Sequence, residues 1–287
     1  MSTRIDRRFV ALKEQNRAAL VTFVTAGDPD FDTSTAIILG LPDAGADIIE
    51  LGMPFSDPMA DGPSIQAAGQ RALKFGQTLK KTLAMVAEFR TRDDDTPIVL
   101  MGYFNPIYQY GAADFVADAH KAGVDGLIVV DTPMEEDDEL RGPAEAAGLD
   151  FIRLVTPATG DARITELVSG ARGFIYYVSV TGITGAGSGL IDDIAAGIRR
   201  VRRATDLPVA VGFGVRGPDQ AAEIARVADG VVIGSAIVNK IAEGLDEQGR
   251  PARGLADDVL GFVKQLSAGI TGARKYERRN TGDGVTE

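Results

Sequence analysis

Residues Asp47–Ser64 read DIIELGMPFSDPMADGPS: an apolar run that ends in an acid, then a loop punctuated by Pro and Gly. Successive side chains of a strand point to opposite faces, so Ile48 and Glu50 share one face while Ile49 and Leu51 share the other. One face therefore mixes a core aliphatic with a carboxyl group. An ionised carboxylate in such a setting costs on the order of several kcal/mol unless it is paired or neutralised. A catalytic protein gains from it an acid whose pKa burial can move toward neutrality. The competing reading is a structural acid paired with a base, and Arg153 is the one basic residue near a strand end.

The same strand, loop and helix recur along the chain. Strands are expected at Ala19–Thr25, Asp47–Gly52, Pro97–Gly102, Gly126–Asp131, Asp150–Val155, Gly173–Ser179, Pro208–Gly212 and Asp229–Gly234. Helices are expected over Asp32–Gly45, Ser64–Arg92, Ala113–Ala122, Met134–Ala147, Asp161–Ser169, Ile191–Ala204 and Pro218–Val227, then Ala236–Glu243 and Leu255–Ala268. YFNPIYQYG after the third strand reads as a loop. Short, almost continuously apolar strands alternating with helices imply parallel pairing buried on both sides. Eight such units fit a single closed (β/α)₈ TIM barrel better than an open doubly wound sheet, which stays as the alternative because periodicity does not reveal closure. No GxGxxG follows the first strand, which weighs against the open sheet. Residues 1–17 form an amphipathic segment, with Ile5, Phe9 and Leu12 at helical spacing, suited to cap the barrel bottom. The barrel domain is expected over residues 1–275, and 276–287 (YERRNTGDGVTE) as a polar, disordered tail.

The chain has 287 residues, 45% hydrophobic and 25% charged, the balance of a globular protein with a substantial core. Thirty Lys and Arg against 41 Asp and Glu leave a net charge of -11, which repels nucleic acid and anionic membranes. There is no cysteine, so disulfides, thiolate chemistry and Cys-based zinc sites are excluded. No apolar run is long enough to span a bilayer, and a soluble, cytoplasmic protein is expected. The single histidine, His120, falls on a helix away from any strand end and is assigned no role; no metal site is expected.

Active sites of such barrels lie at the C-terminal ends of the strands. Glu50 sits at one such end and Asp61 in the loop beyond it. Asp61 in DGPS before a helix also reads as a cap or turn residue. The functional case rests on the pair, since two carboxyl groups in differently solvated places can divide acid, base and electrostatic roles. Gly-rich stretches follow the sixth strand (Thr181–Gly189), the seventh (Gly212–Val215) and the eighth (Gly234-Ser235, opening a short helix). Glycine lets backbone N–H groups approach an anion, and a helix N-terminus adds a positive dipole end. Tight turns without a ligand are the alternative. TGAGSG suits a closing lid or an ordinary linker. Of Tyr176 and Tyr177, one should face the barrel interior.

IELGMPFSDPMADGPSIQ, VTFVTAGDPD, MGYFNPIYQYG, VVDTP, YYVSVTGITGAGS, GFGV and GSAIV, taken together, resemble the successive motifs of the tryptophan synthase alpha subunit family from about Leu20 to Ala268. The resemblance implies a (β/α)₈ lyase that cleaves indole-3-glycerol phosphate to indole and glyceraldehyde 3-phosphate without a metal or cofactor of its own. It implies Glu50 as general acid/base, Asp61 as the anion beside the indole N–H and Tyr176 as a substrate-positioning residue. Phe23, Leu100 and Phe213 would line the indole pocket, Gly185, Gly214, Gly234 and Ser235 would hold the phosphate, and Thr184 would fix Asp61 on loop closure. The implied partner is a beta subunit carrying pyridoxal phosphate in an α2β2 assembly, met through Pro54, Phe55, Asp57, Pro58 and Asn105. Other readings are a stand-alone indole-releasing lyase, another phosphosugar barrel such as an isomerase or epimerase, or a silent barrel that only activates a partner.

Overall fold

The computed structural model describes residues 2–179, 188–212 and 214–273. Its strands are β1 (Ala19–Thr25), β2 (Ile48–Gly52), β3 (Ile98–Gly102), β4 (Gly126–Val129), β5 (Asp150–Phe151), β6 (Arg153–Val155), β7 (Ile175–Val178), β8 (Val209–Gly212) and β9 (Gly230–Ile233). Every pairing between them is parallel, in the order β5-β4-β3-β2-β1-β9-β8-β7-β6. The two ends of that order, β5 and β6, are the halves of the one strand expected over Asp150–Val155, interrupted at Ile152. The Ile152 N–H still donates to Leu127 O of β4 at 2.9 Å. The sheet therefore closes on itself, and the nine segments make eight barrel staves.

The helices are α1 (Arg4–Glu14), α2 (Phe31–Gly40), α3 (Pro63–Lys74), α4 (Leu79–Arg90), α5 (Phe104–Tyr110), α6 (Ala112–Ala122) and α7 (Asp138–Ala146). They continue with α8 (Asp161–Val168), α9 (Ser188–Arg202), α10 (Pro218–Ala225), α11 (Ser235–Glu243) and α12 (Leu255–Ala273). The stretch expected as one helix from Ser64 to Arg92 divides into α3 and α4. Gly76 between them takes a φ of +76°, open to glycine without strain, and Thr78 restarts the helix by accepting the Lys81 N–H at 3.3 Å. YFNPIYQYG is not a loop: its Phe104–Tyr110 portion is α5, and Pro106 lies in the first turn, where no intrahelical N–H is needed. The helix expected from Met134 begins only at Asp138.

Alternation along the strands builds two cores. Val21, Ile48, Val99, Ile128, Ile152, Phe174, Ala210 and Val232 fill the barrel interior, where Ile5, Phe9 and Leu12 of α1 join them. Leu20, Val24, Ile49, Leu51, Ile98, Leu100, Val211 and Val231 face the helices instead. α1 thus plugs the bottom, its Phe9 ring 5.7 Å from Phe174, as the spacing of its apolar residues implied. A capping box starts it, with Thr3 and Asp6 each accepting the other's backbone N–H.

Buried acids hold the strand starts at this end. Asp47 takes a two-point ion pair from Arg17 (2.6 and 2.7 Å) and accepts the Leu20 N–H at 2.7 Å. Asp125 receives Arg90 at 2.6 Å, Arg4 at 3.0 Å and the Ile98 N–H at 2.8 Å. Removing one partner from such a cluster leaves buried charge uncompensated, at about 3 kcal/mol or more. Asp125→Ala should therefore lower the melting temperature by roughly 6–12 °C. Thermal unfolding followed by circular dichroism reads this directly, and an unchanged midpoint would show that the cluster contributes nothing net.

Candidate active site

Glu50 projects from β2 into the barrel, in register with Phe23 of β1 and Val99 of β3. Its residue is 1% exposed, and neither carboxyl oxygen has a hydrogen-bond partner among the described residues. Arg153, the base that could have made it a structural acid, is bound to Asp137 instead. Desolvation with nothing to offset it pushes the Glu50 carboxyl up to about 8, so it keeps its proton at neutral pH.

Asp61 occupies the loop between β2 and α3. Its N–H donates to Pro58 O at 3.1 Å, and its carbonyl accepts from Gln66 Nε2 at 2.8 Å. It does not cap α3: the N-cap is Gly62, with Pro63 as the first helical residue and no side-chain cap bond. Partial burial raises the Asp61 carboxyl above its ordinary value, while hydrogen bonding from the Tyr103 hydroxyl works the other way.

Tyr176 of β7 faces the barrel interior, and Tyr177 faces the helices. A β-carbon built on Gly197 of α9 would come within 2.1 Å of the Tyr177 hydroxyl, and one on Gly212 of β8 within 2.5 Å of the Tyr176 hydroxyl. Both glycines are thus spaces that the phenols occupy. Burial, and then the charge of Glu50, raise the Tyr176 hydroxyl well above its ordinary value, so it stays a neutral donor.

These groups share one cleft of about 420 Å³ at the C-terminal mouth of the barrel. Phe23, Ile65, Met101, Val178 and Val232 give it an apolar floor around Glu50, Asp61 and Tyr176. Gly214, Gly234 and Ser235 line it as well. Gly234 is the N-cap of α11, so that helix begins at the cleft. The lining contains no Lys or Arg among the described residues. An anion there would be met by backbone amides and a helix dipole.

The structure thus gathers Glu50, Asp61, Tyr176, Phe23, Gly214, Gly234 and Ser235. It does not bring Leu100 to them. Leu100 is fully buried against the helices, and its neighbour Met101 lines the cleft in its place, because adjacent strand residues face opposite sides. Thr184, Gly185 and Phe213 lie outside the described residues. Two further residues at the site were not expected from the sequence: Ile65, placed by the first turn of α3, and Tyr103, whose ring meets Phe55 at 5.4 Å. The aromatic run YFNPIY was the available signal for Tyr103.

Of the residues expected to meet a partner, Asp57 and Asn105 are exposed, while Pro54, Phe55 and Pro58 are half-buried. Phe104 and Pro106 are half-buried too. The apolar surface here is carried more by Met59, 83% exposed, and Tyr108, 57% exposed. Among the described residues no group of three His, Cys, Asp or Glu side chains could hold a metal ion, and no helix is long and apolar enough to cross a membrane. His120 is exposed on α6.

A family model described as tryptophan synthase alpha chain matches residues 9–264. The chain belongs to that family. Its members are lyases that cleave indole-3-glycerol phosphate and work beside a beta subunit. Among solved structures, the tryptophan synthase alpha subunit of Legionella pneumophila is 36% identical, with a TM-score of 0.85 over 94% of this chain and 99% of that one. A ligand-free tryptophan synthase from M. tuberculosis is 34% identical, with a TM-score of 0.83 over 94% and 99%. A protein from Aquifex aeolicus is 36% identical, with a TM-score of 0.83 over 93% and 99%. The alpha-chain barrel of this family is therefore present along nearly the whole chain.

The lone acid has a consequence for stability. Folding favours the protonated form of Glu50, so between about pH 4.5 and about pH 8 the folded protein holds a proton that the unfolded chain releases. Its contribution falls as pH rises through that interval, and the penalty is complete above it. Glu50→Gln removes the titration, so the variant should gain stability relative to the parent as pH rises from 5 to 8.5, by an amount on the order of a few kcal/mol. Melting profiles of the two proteins across that range measure the gain, and parallel profiles would contradict the burial argument.

Proposed function

We propose that this chain performs its family's retro-aldol cleavage with Glu50 and Asp61 in divided roles. Breaking the bond between indole C3 and the glycerol phosphate side chain requires the ring first to become an electron sink. Glu50, protonated at rest, gives its proton to C3 and leaves a positive indoleninium. The resulting carboxylate takes the proton of the adjacent side-chain hydroxyl. The C–C bond then breaks, its electrons return to the ring, indole leaves and the side chain departs as glyceraldehyde 3-phosphate. Asp61, ionised beside the ring nitrogen, stabilises the positive charge while it lasts. One carboxyl group could not fill both places, since the first must hold a proton and the second must lack one.

Tyr176 positions the substrate between the acids. Phe23 and Met101 sandwich the indole, Met101 taking the place expected of Leu100, and Phe213 completes that pocket. The backbone at Gly214, Gly234 and Ser235, together with Gly185, holds the phosphate, and Thr184 fixes Asp61 as its loop closes. The chain carries no cofactor of its own, the pyridoxal phosphate belonging to the beta subunit of a cytoplasmic α2β2 enzyme. Pro54, Phe55, Asp57, Pro58 and Asn105 meet that subunit and pass indole to it.

The observation that carries this reading is an unpaired, fully buried acid and a half-buried second acid on one apolar cleft, with a helix N-terminus opening onto the same cleft. Glu50→Gln should reduce indole release from indole-3-glycerol phosphate by about 10²- to 10⁴-fold while substrate still binds. Normal turnover in that variant would remove the acid/base assignment. In the parent, rate should decline as pH rises past about 8, where Glu50 gives up the proton it must donate. Adding a beta subunit should raise the indole-release rate and shift the chain to a larger species on size exclusion; no response in either would favour a stand-alone lyase.

A further inference from the structure

The loop that carries Asp61 is held mainly by its own backbone, with Met59 N–H donating to Asp57 O at 2.9 Å and Asp61 N–H to Pro58 O at 3.1 Å. Among the described residues, one side chain from another βα unit anchors it. That side chain is Tyr103, which follows β3, and its hydroxyl accepts the Ala60 N–H at 2.9 Å. The ring cannot swing away easily, being 3% exposed and packed against Phe55 at 5.4 Å.

We propose that Tyr103 is a positioning residue for Asp61, its hydroxyl held between the Ala60 N–H and the Asp61 carboxyl so that the carboxylate is aimed at the substrate's ring nitrogen. The proposal rests on the role given to Asp61 above. A phenol has one proton and can also accept. With the Ala60 N–H filling an acceptor position, the proton is available to the Asp61 carboxyl one residue on, and the hydrogen bond between the two groups favours the charged form of Asp61. Burial drives the Tyr103 hydroxyl up to about 12, so it remains a donor wherever the enzyme works. No cation among the described residues competes for this role. The titratable groups that line the cleft with Asp61 are Glu50 and Tyr176, and no Lys or Arg lines either the cleft or the smaller apolar pocket behind it. Tyr103 also joins the ends of two neighbouring strands, because the residue comes from β3 and the loop it holds from β2. Mispositioning a charge by a fraction of a bond length is enough to weaken transition-state stabilisation.

Tyr103→Phe keeps the ring and its packing and removes only the hydroxyl. In the complex with a beta subunit, this variant should lose about tenfold in kcat for indole release with KM little changed. The acid limb of its pH-rate profile should move to higher pH, since Asp61 loses a bond that favours its ionised form. A purely structural role would not move that limb. Because Tyr103 acts through Asp61, the double variant Tyr103→Phe, Asp61→Asn should be no slower than Asp61→Asn alone. An unchanged kcat and acid limb in Tyr103→Phe, or losses that add in the double variant, would overturn the proposal. If Asp61→Asn itself turns over like the parent, the reading of Asp61 fails and this proposal with it. If Asp61→Asn is impaired while Tyr103→Phe is not, this proposal alone fails.

Discussion

Water is excluded from the inner end of β2, and the arrangement of the site depends on that exclusion. The interior core below Glu50 is sealed by α1 from beneath and by layers of aliphatic side chains from the staves. A carboxyl group at the top of that core has no counter-ion and no hydrogen-bond donor among the described residues. It must keep its proton or raise the energy of the fold. The cavity needs no special residue to achieve this, only strand alternation and a tightly closed barrel.

The second acid gets its different character from its place on a loop. Asp61 remains near solvent, is reached by a phenolic donor, and belongs to a segment tied down by few contacts. The contrast between the two carboxyls is thus the contrast between a stave and a loop of one βα unit, and about ten residues of chain are enough to produce it. A third device, glycines at the ends of β8 and β9 and the start of α11, presents backbone donors to the cleft without side-chain charge.

Much of this was legible in the sequence because it follows from short-range periodicity. The inward placement of Glu50, the plug formed by Ile5, Phe9 and Leu12, and the succession of staves all come from patterns of two and 3.6 residues. The placement of Leu100 shows the limit of that approach: in a parallel stave buried on both sides, both neighbours are apolar, so hydrophobicity does not say which one faces inward. Register does, and Met101 wins by one residue. Helix α5 was hidden because Pro106 and Gly111 read as punctuation, although proline in a first turn costs a helix nothing. The break between α3 and α4 turned on the backbone angle of Gly76, and the split of the fifth stave at Ile152 on local pairing geometry. Neither leaves a mark on composition.

The seam where the barrel shuts joins β1 to β9, with Ala19 opposite Gly230 and Thr22 opposite Ile233. The first stave to leave the ribosome therefore waits for one of the last before its second edge is covered. Until then the backbone N–H and C=O groups along that edge of β1 have no strand to pair with. Every other pairing among the described strands joins neighbours along the chain, so shutting this seam is the one pairing that must close a loop of most of the barrel's length.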